Sequence, residues 1–171
     1  MLSPVIVVFT WWEDYRDGAL RRGFVRRWGA MGKCGLLVYS NSPHWQRYVE
    51  EQWLPRLADR VVVLNWSERA QWNRVHPFEA QMFRRFAGDR EFNPLAVIFL
   101  ARAHHATFHA WLRAIKEGDV VGMLAPSSRD VKVIRFWQPF RDFKHGNDRA
   151  LRQAESEMFA AIGGNSPSVG V

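Results

Sequence analysis

Leu36-Leu37-Val38-Tyr39-Ser40-Asn41-Ser42-Pro43-His44 is a short apolar run that breaks abruptly into a polar turn. The apolar part is continuous rather than alternating. A strand built from it has no polar face for solvent, so it predicts a strand covered on both sides. Val5-Ile6-Val7-Val8-Phe9, Val61-Val62-Val63-Leu64 and Leu95-Ala96-Val97-Ile98-Phe99-Leu100 have the same character. Val120-Val121-Gly122-Met123-Leu124 and Val131-Lys132-Val133-Ile134-Arg135-Phe136-Trp137 follow, the last alternating only loosely, as a sheet-edge strand does.

Helical patterns fill the intervals. Leu20, Phe24, Trp28 and Met31 recur on one stripe, and Pro77 opens a stripe of Phe78, Met82, Phe83 and Phe86. A pattern from Trp45 to Ala58 has Pro55 inside it, which predicts a kink. Strand and helix alternate four times, followed by two strands and a helix. This order predicts an α/β fold: a single-domain three-layer sandwich with a mostly parallel, doubly wound sheet of five or six strands, flavodoxin-like in plan. The expected domain spans residues 1–162, with a flexible tail over 163–171.

A chain of 171 residues with 47% hydrophobic and 24% charged residues suits one globular domain and argues against disorder. Nine Trp and twelve Phe mean either a large core, with rings in sheet-helix packing, or rings left over for a ligand or a homo-oligomer interface. The formal charge of +7 suits polyanions, nucleic acid among them. The lone Cys34 excludes an internal disulfide. Neither a signal peptide nor a membrane span is legible at the start of the chain, so a cytoplasmic protein without a membrane partner is expected.

In an open parallel sheet, ligands bind beyond the carboxyl ends of the strands. That rule selects Thr10, Trp11, Trp12 and Asp14 after the first run, Ser40, Asn41 and His44 after the second, Asn65 and Trp66 after the third, and His104 and His105 after the fourth. Polar groups and rings together suit a small nucleotide-like ligand. The phosphate-binding strings G-x-G-x-x-G and G-x-x-x-x-G-K-[ST] are both absent, as is the nucleophile string G-x-S-x-G. His105 and His109 have the spacing of a two-His metal site but lack further ligands at matching intervals, so no metal is expected.

Glu79 falls on the apolar stripe of its helix, beside Met82, Phe83 and Phe86. A carboxylate there must be paired or solvated at a pocket. Arg21, Arg22, Arg26 and Arg27 flank the first helical stripe as a basic face suited to nucleic acid. The segment from Arg135 to Lys144 interleaves cations with Phe136, Trp137, Phe140 and Phe143, a pattern that suits single-stranded nucleic acid or an edge strand packed under the last helix.

The stretch Leu57-Ala58-Asp59-Arg60-Val61-Val62-Val63-Leu64, then the helix opened by Pro77 with Glu79, then Asn93-Pro94 and a further strand, resembles the middle of Toll/interleukin-receptor (TIR) domains and of nucleoside 2-deoxyribosyltransferase-like proteins. The resemblance covers residues 57–100. It implies a TIR-like flavodoxin-type fold and a helix-borne catalytic Glu, here Glu79, acting on an N-glycosidic bond. NAD or a nucleoside would be the substrate, and no cofactor would be required. Two readings therefore leave the sequence: a nucleotide- or nucleoside-processing enzyme centred on Glu79, and a non-catalytic basic protein that recognises nucleic acid or a protein partner.

Overall fold

A computed structural model describes residues 16–24, 26–57, 59–88, 93–100 and 131–163. Residues 16–24 and 26–28 are helical (α1), and a 3-10 turn at Gly29–Met31 leads into strand β1, Gly35–Tyr39. Helix α2 (46–57) follows, then β2, Val61–Asn65. A 3-10 segment Trp66–Gln71, helix α3, Trp72–Val75, and helix α4, Pro77–Phe86, lead to β3, Leu95–Phe99. Strand β4 is Val131–Arg135, and the described chain closes with α5, Trp137–Lys144, and α6, Arg149–Gly163.

The described strands form one mixed sheet in the order β2-β1-β3-β4. Only β1 and β2 are parallel, with Gly35 opposite Val61 and Tyr39 opposite Asn65. Strand β3 runs antiparallel to β1, with Val38 opposite Leu95, and β4 runs antiparallel to β3. This corrects the expectation of a mostly parallel, five- or six-stranded flavodoxin-like (TIR-like) sheet. The runs at Val5–Phe9 and Val120–Leu124 lie outside the described residues.

The reversal has a local cause. A single crossover helix carries the chain from one end of a sheet to the other, so the next strand is parallel. Here the connection from β2 to β3 is a helical hairpin. His76 leaves the helical region (φ −131°, ψ 54°), and Pro77 restarts the helix in the opposite sense. Trp72 packs against Phe83 at 5.3 Å between ring centroids, Trp66 against the same ring at 5.4 Å, and Arg84 donates to Asn73 Oδ1 at 2.6 Å. Two helical passes return the chain to the end of the sheet where β2 finished, so β3 must start there and run back.

Alternate strand residues feed two cores on opposite faces of the sheet. Leu37, Tyr39, Ala96, Ile98 and Ile134 pack with Trp53, Phe136, Phe140, Leu151 and Met158 from α2, α5, α6 and the residue before α5. Leu36, Val38, Leu64, Leu95 and Val97 pack with Phe24, Trp72, Met82 and Phe83 from α1, α3 and α4. Every residue of β1 and β3 is buried. Pro55 does not break α2. The turn at Val49–Trp53 widens to π geometry, and Leu54 N–H reaches Val49 O. A proline at 55 has no N–H to give and crowds the carbonyl four residues back, which a widened turn relieves.

Candidate functional site

Ser40, Asn41, His44, Asn65 and Trp66 do converge, at the carboxyl ends of the parallel pair β1–β2. Asn41 and Asn65 bond each other, and neighbouring Ser42, Trp45, Ser67 and Trp72 supply the other bonds of this rim. Asn65 Nδ2 donates to Asn41 Oδ1 (2.9 Å), Asn41 N–H to Ser67 Oγ (3.1 Å) and Ser67 N–H to Asn65 Oδ1 (3.0 Å). Trp45 Nε1 donates to Ser40 Oγ (3.2 Å), and Trp72 Nε1 to the Asn65 carbonyl (3.0 Å). His44 is exposed, and its N–H meets Ser42 Oγ at 3.4 Å. This network ties two loops together, as an Asx turn at a helix start does. Thr10, Trp11, Trp12, Asp14, His104 and His105 lie outside the described residues.

Glu79 stands apart from this rim. It is 3% exposed, and its Oε1 accepts from Trp28 Nε1 at 2.8 Å. Trp28 belongs to the segment entering β1, its carbonyl accepting from Lys33 N–H, so the carboxylate is tied to the amino end of that strand and the rim to its carboxyl end. The expectation of nucleotide binding and hydrolysis that followed from a flavodoxin-like plan loses that basis with the mixed sheet. Among the described residues no cluster of His, Cys, Asp or Glu could hold a metal ion, and no helix is long and apolar enough to cross a membrane.

The feature that the fold does assemble is electrostatic. On the layer made by α1 and the hairpin (16–28 and 66–88), Arg16, Arg21, Arg22, Arg26, Arg27, Arg69, Arg74, Arg84 and Arg85 stand against only Asp17, Glu68 and Glu79. All three carboxylates are engaged. Asp17 forms a two-pronged ion pair with Arg85, Glu68 accepts from Asn65, and Glu79 holds Trp28. On the opposite layer (46–57 and 137–163) six cations meet six carboxylates, with Arg47–Glu51 and Arg152–Asp148 as ion pairs. Among the described residues the excess of positive charge is therefore concentrated on one side of the sheet.

Arg21 is 8% exposed, whereas Arg22, Arg26 and Arg27 are exposed, and the hairpin adds exposed Arg69, Arg74 and Arg84. Among the described residues none of these six exposed arginines forms an ion pair. Close packing of α1 on α4 places the two sets on the same layer: Gly23 lies so near Phe78 that a Cβ there would meet its ring at 2.9 Å. The hairpin arginines were missed in the sequence because they are scattered. The available signal was the scarcity of carboxylates over 66–88.

A groove of about 370 Å³ lies elsewhere, between β4 and α6, lined in part by Val133, Arg135, Gln153 and Glu157. Compared with known proteins, the chain matches no family, no curated protein and no solved structure.

Proposed function

We propose that this protein is a nucleic-acid-binding protein that uses its arginine layer to hold phosphates. The single observation that carries the reading is the sidedness of the charge among the described residues: nine arginines against three engaged carboxylates on one layer, and balance on the other. A surface of this kind attracts a polyanion, and the attraction grows steeply as salt falls. Guanidinium groups, flat and always charged, suit phosphate oxygens better than ammonium groups do.

The test is binding of a labelled nucleic acid across a salt series. Replacing Arg22, Arg26 and Arg27 together by Ala should cut the slope of log K against log salt by about 2–3, at roughly 0.7–0.9 per lost phosphate contact. Replacing Arg47, Arg149 and Arg152 on the balanced layer should leave the slope as it is. Equal effects of the two triple variants would sink the reading.

The competing reading makes Glu79 the carboxylate of an N-glycosidic enzyme. What supports it is a carboxylate on an otherwise apolar helix face. Turnover of NAD or a nucleoside by the wild type and its loss in Glu79→Gln would favour that reading over ours.

A further inference from the structure

We infer that the nucleic acid is a duplex, gripped by its phosphates without reading of its bases; this rests on the nucleic-acid reading above. A single strand is held by stacking its bases on open ring faces. On the arginine layer no described Trp or Phe ring is open: Trp28, Trp66, Phe78 and Phe86 are half-buried. The Arg27 guanidinium lies 5.9 Å from the Trp28 ring centre and 5.8 Å from that of Phe78, and Arg69 lies 5.2 Å from Trp66. Trp28 and Trp72 have their N–H groups committed to Glu79 and to the Asn65 carbonyl. Phe24, Trp72 and Phe83 are buried. None of the exposed large apolar residues, Met31, Val75 and Phe143, is a ring on this layer.

Two rings of the segment that looked most like a single-strand platform are withdrawn from solvent, and its half-buried Trp137 and exposed Phe143 lie on the opposite, charge-balanced layer. Phe136 is 0% exposed and Phe140 3%, both inside the core on the opposite face. What remains outside on the arginine layer is charge on a rigid support. Arg22 and Arg26 stand one helical turn apart on α1, with Arg27 beside them. A duplex is the polyanion that presents dense, regularly spaced phosphates to such a support, about one charge per 1.7 Å of axis. Contacts of this kind position a protein on nucleic acid and carry no sequence information.

The experiment measures binding of the full chain to a mixed-sequence duplex, to its two single strands and to vesicles rich in anionic lipid, at two salt concentrations. The expected result is roughly 10-fold tighter binding to the duplex than to either strand, a steep salt dependence, and little change when the duplex sequence is shuffled. The Arg22, Arg26 and Arg27 triple variant should lose duplex binding while keeping the wild-type circular dichroism spectrum. Tighter binding to a single strand, or a Kd that follows the duplex sequence, would overturn the duplex inference and leave the nucleic-acid reading standing. Binding to vesicles alone, or to none of the three, would overturn both.

Discussion

Glu79 shows how much a residue's surroundings decide about its role. Its carboxylate sits in an apolar cluster and is held by one indole, Trp28, 51 residues earlier in the chain. Removing the acceptor leaves the Trp28 N–H without its partner, a loss of about 1–3 kcal/mol. Glu79→Ala should therefore lower the midpoint of urea unfolding clearly, and Glu79→Gln, which keeps an acceptor oxygen, should lower it much less. In a Trp28→Phe background the two substitutions should converge. If they remain as far apart as before, the indole contact is not what stabilises this carboxylate. The stripe of Met82, Phe83 and Phe86 made the unusual position of Glu79 legible in sequence. The identity of its partner was not, because no periodicity within α4 points to a residue on α1.

At the scale of elements, close approaches decide more than propensities. Gly35, at the start of β1, faces the antiparallel strand β3, and a Cβ there would lie 2.5 Å from the Val97 carbonyl oxygen and 3.2 Å from Ile98 Cα. Both neighbours are backbone, so neither can swing aside. Gly35→Ala should cost about 1–3 kcal/mol, the usual range for overpacking, and lower the melting temperature by several degrees. An unchanged melting temperature would mean that β1 and β3 separate more easily than this register implies. The apolar runs at 36–39, 61–64 and 95–100 all contain strands, because continuous β-branched and aliphatic residues leave few alternatives over so short a length. Trp137 begins a helix rather than ending a strand. Phe136 already lies in the core and donates its N–H to the Pro94 carbonyl, which closes the edge there.

Across the whole molecule, the balanced helical layer carries the groups that set the response to alkali. Burial, then the hydrogen bond to Glu155 and its negative charge, push the Tyr48 hydroxyl up to about 12. Burial and Glu50 raise Tyr39 in the same direction, its hydroxyl donating to Glu50 Oε1 at 3.2 Å. The folded state thus retains these protons when the unfolded chain releases them near pH 10. The stability they contribute is complete below about pH 10 and disappears as the pH rises towards 12. Melting temperatures should fall across that interval, and Tyr48→Phe should flatten the fall. A wild-type curve that is level over the same interval would contradict the half-buried, Glu155-bonded environment of this hydroxyl. The arginine layer has a different signature: salt should weaken binding there without a comparable effect on folding.

The sequence by itself determined that the runs at 36–39, 61–64, 95–100 and 131–135 contain strands, that apolar runs without a polar face would be covered on both sides, and that an arginine surplus existed on α1. These follow from local pattern, since side-chain periodicity is written along the chain. The direction of β3 was decided only in three dimensions. It depends on whether the helices after β2 make one pass or two, and that is set by the contact of Trp66 and Trp72 with Phe83 across the turn at His76. The gathering of the arginines was decided there too. Arg69, Arg74 and Arg84 join Arg22, Arg26 and Arg27 only because α1 and the hairpin cover the same face of the sheet, while the opposite face receives helices whose charges cancel. Charge is additive along a sequence, but its field depends on where the fold places each group.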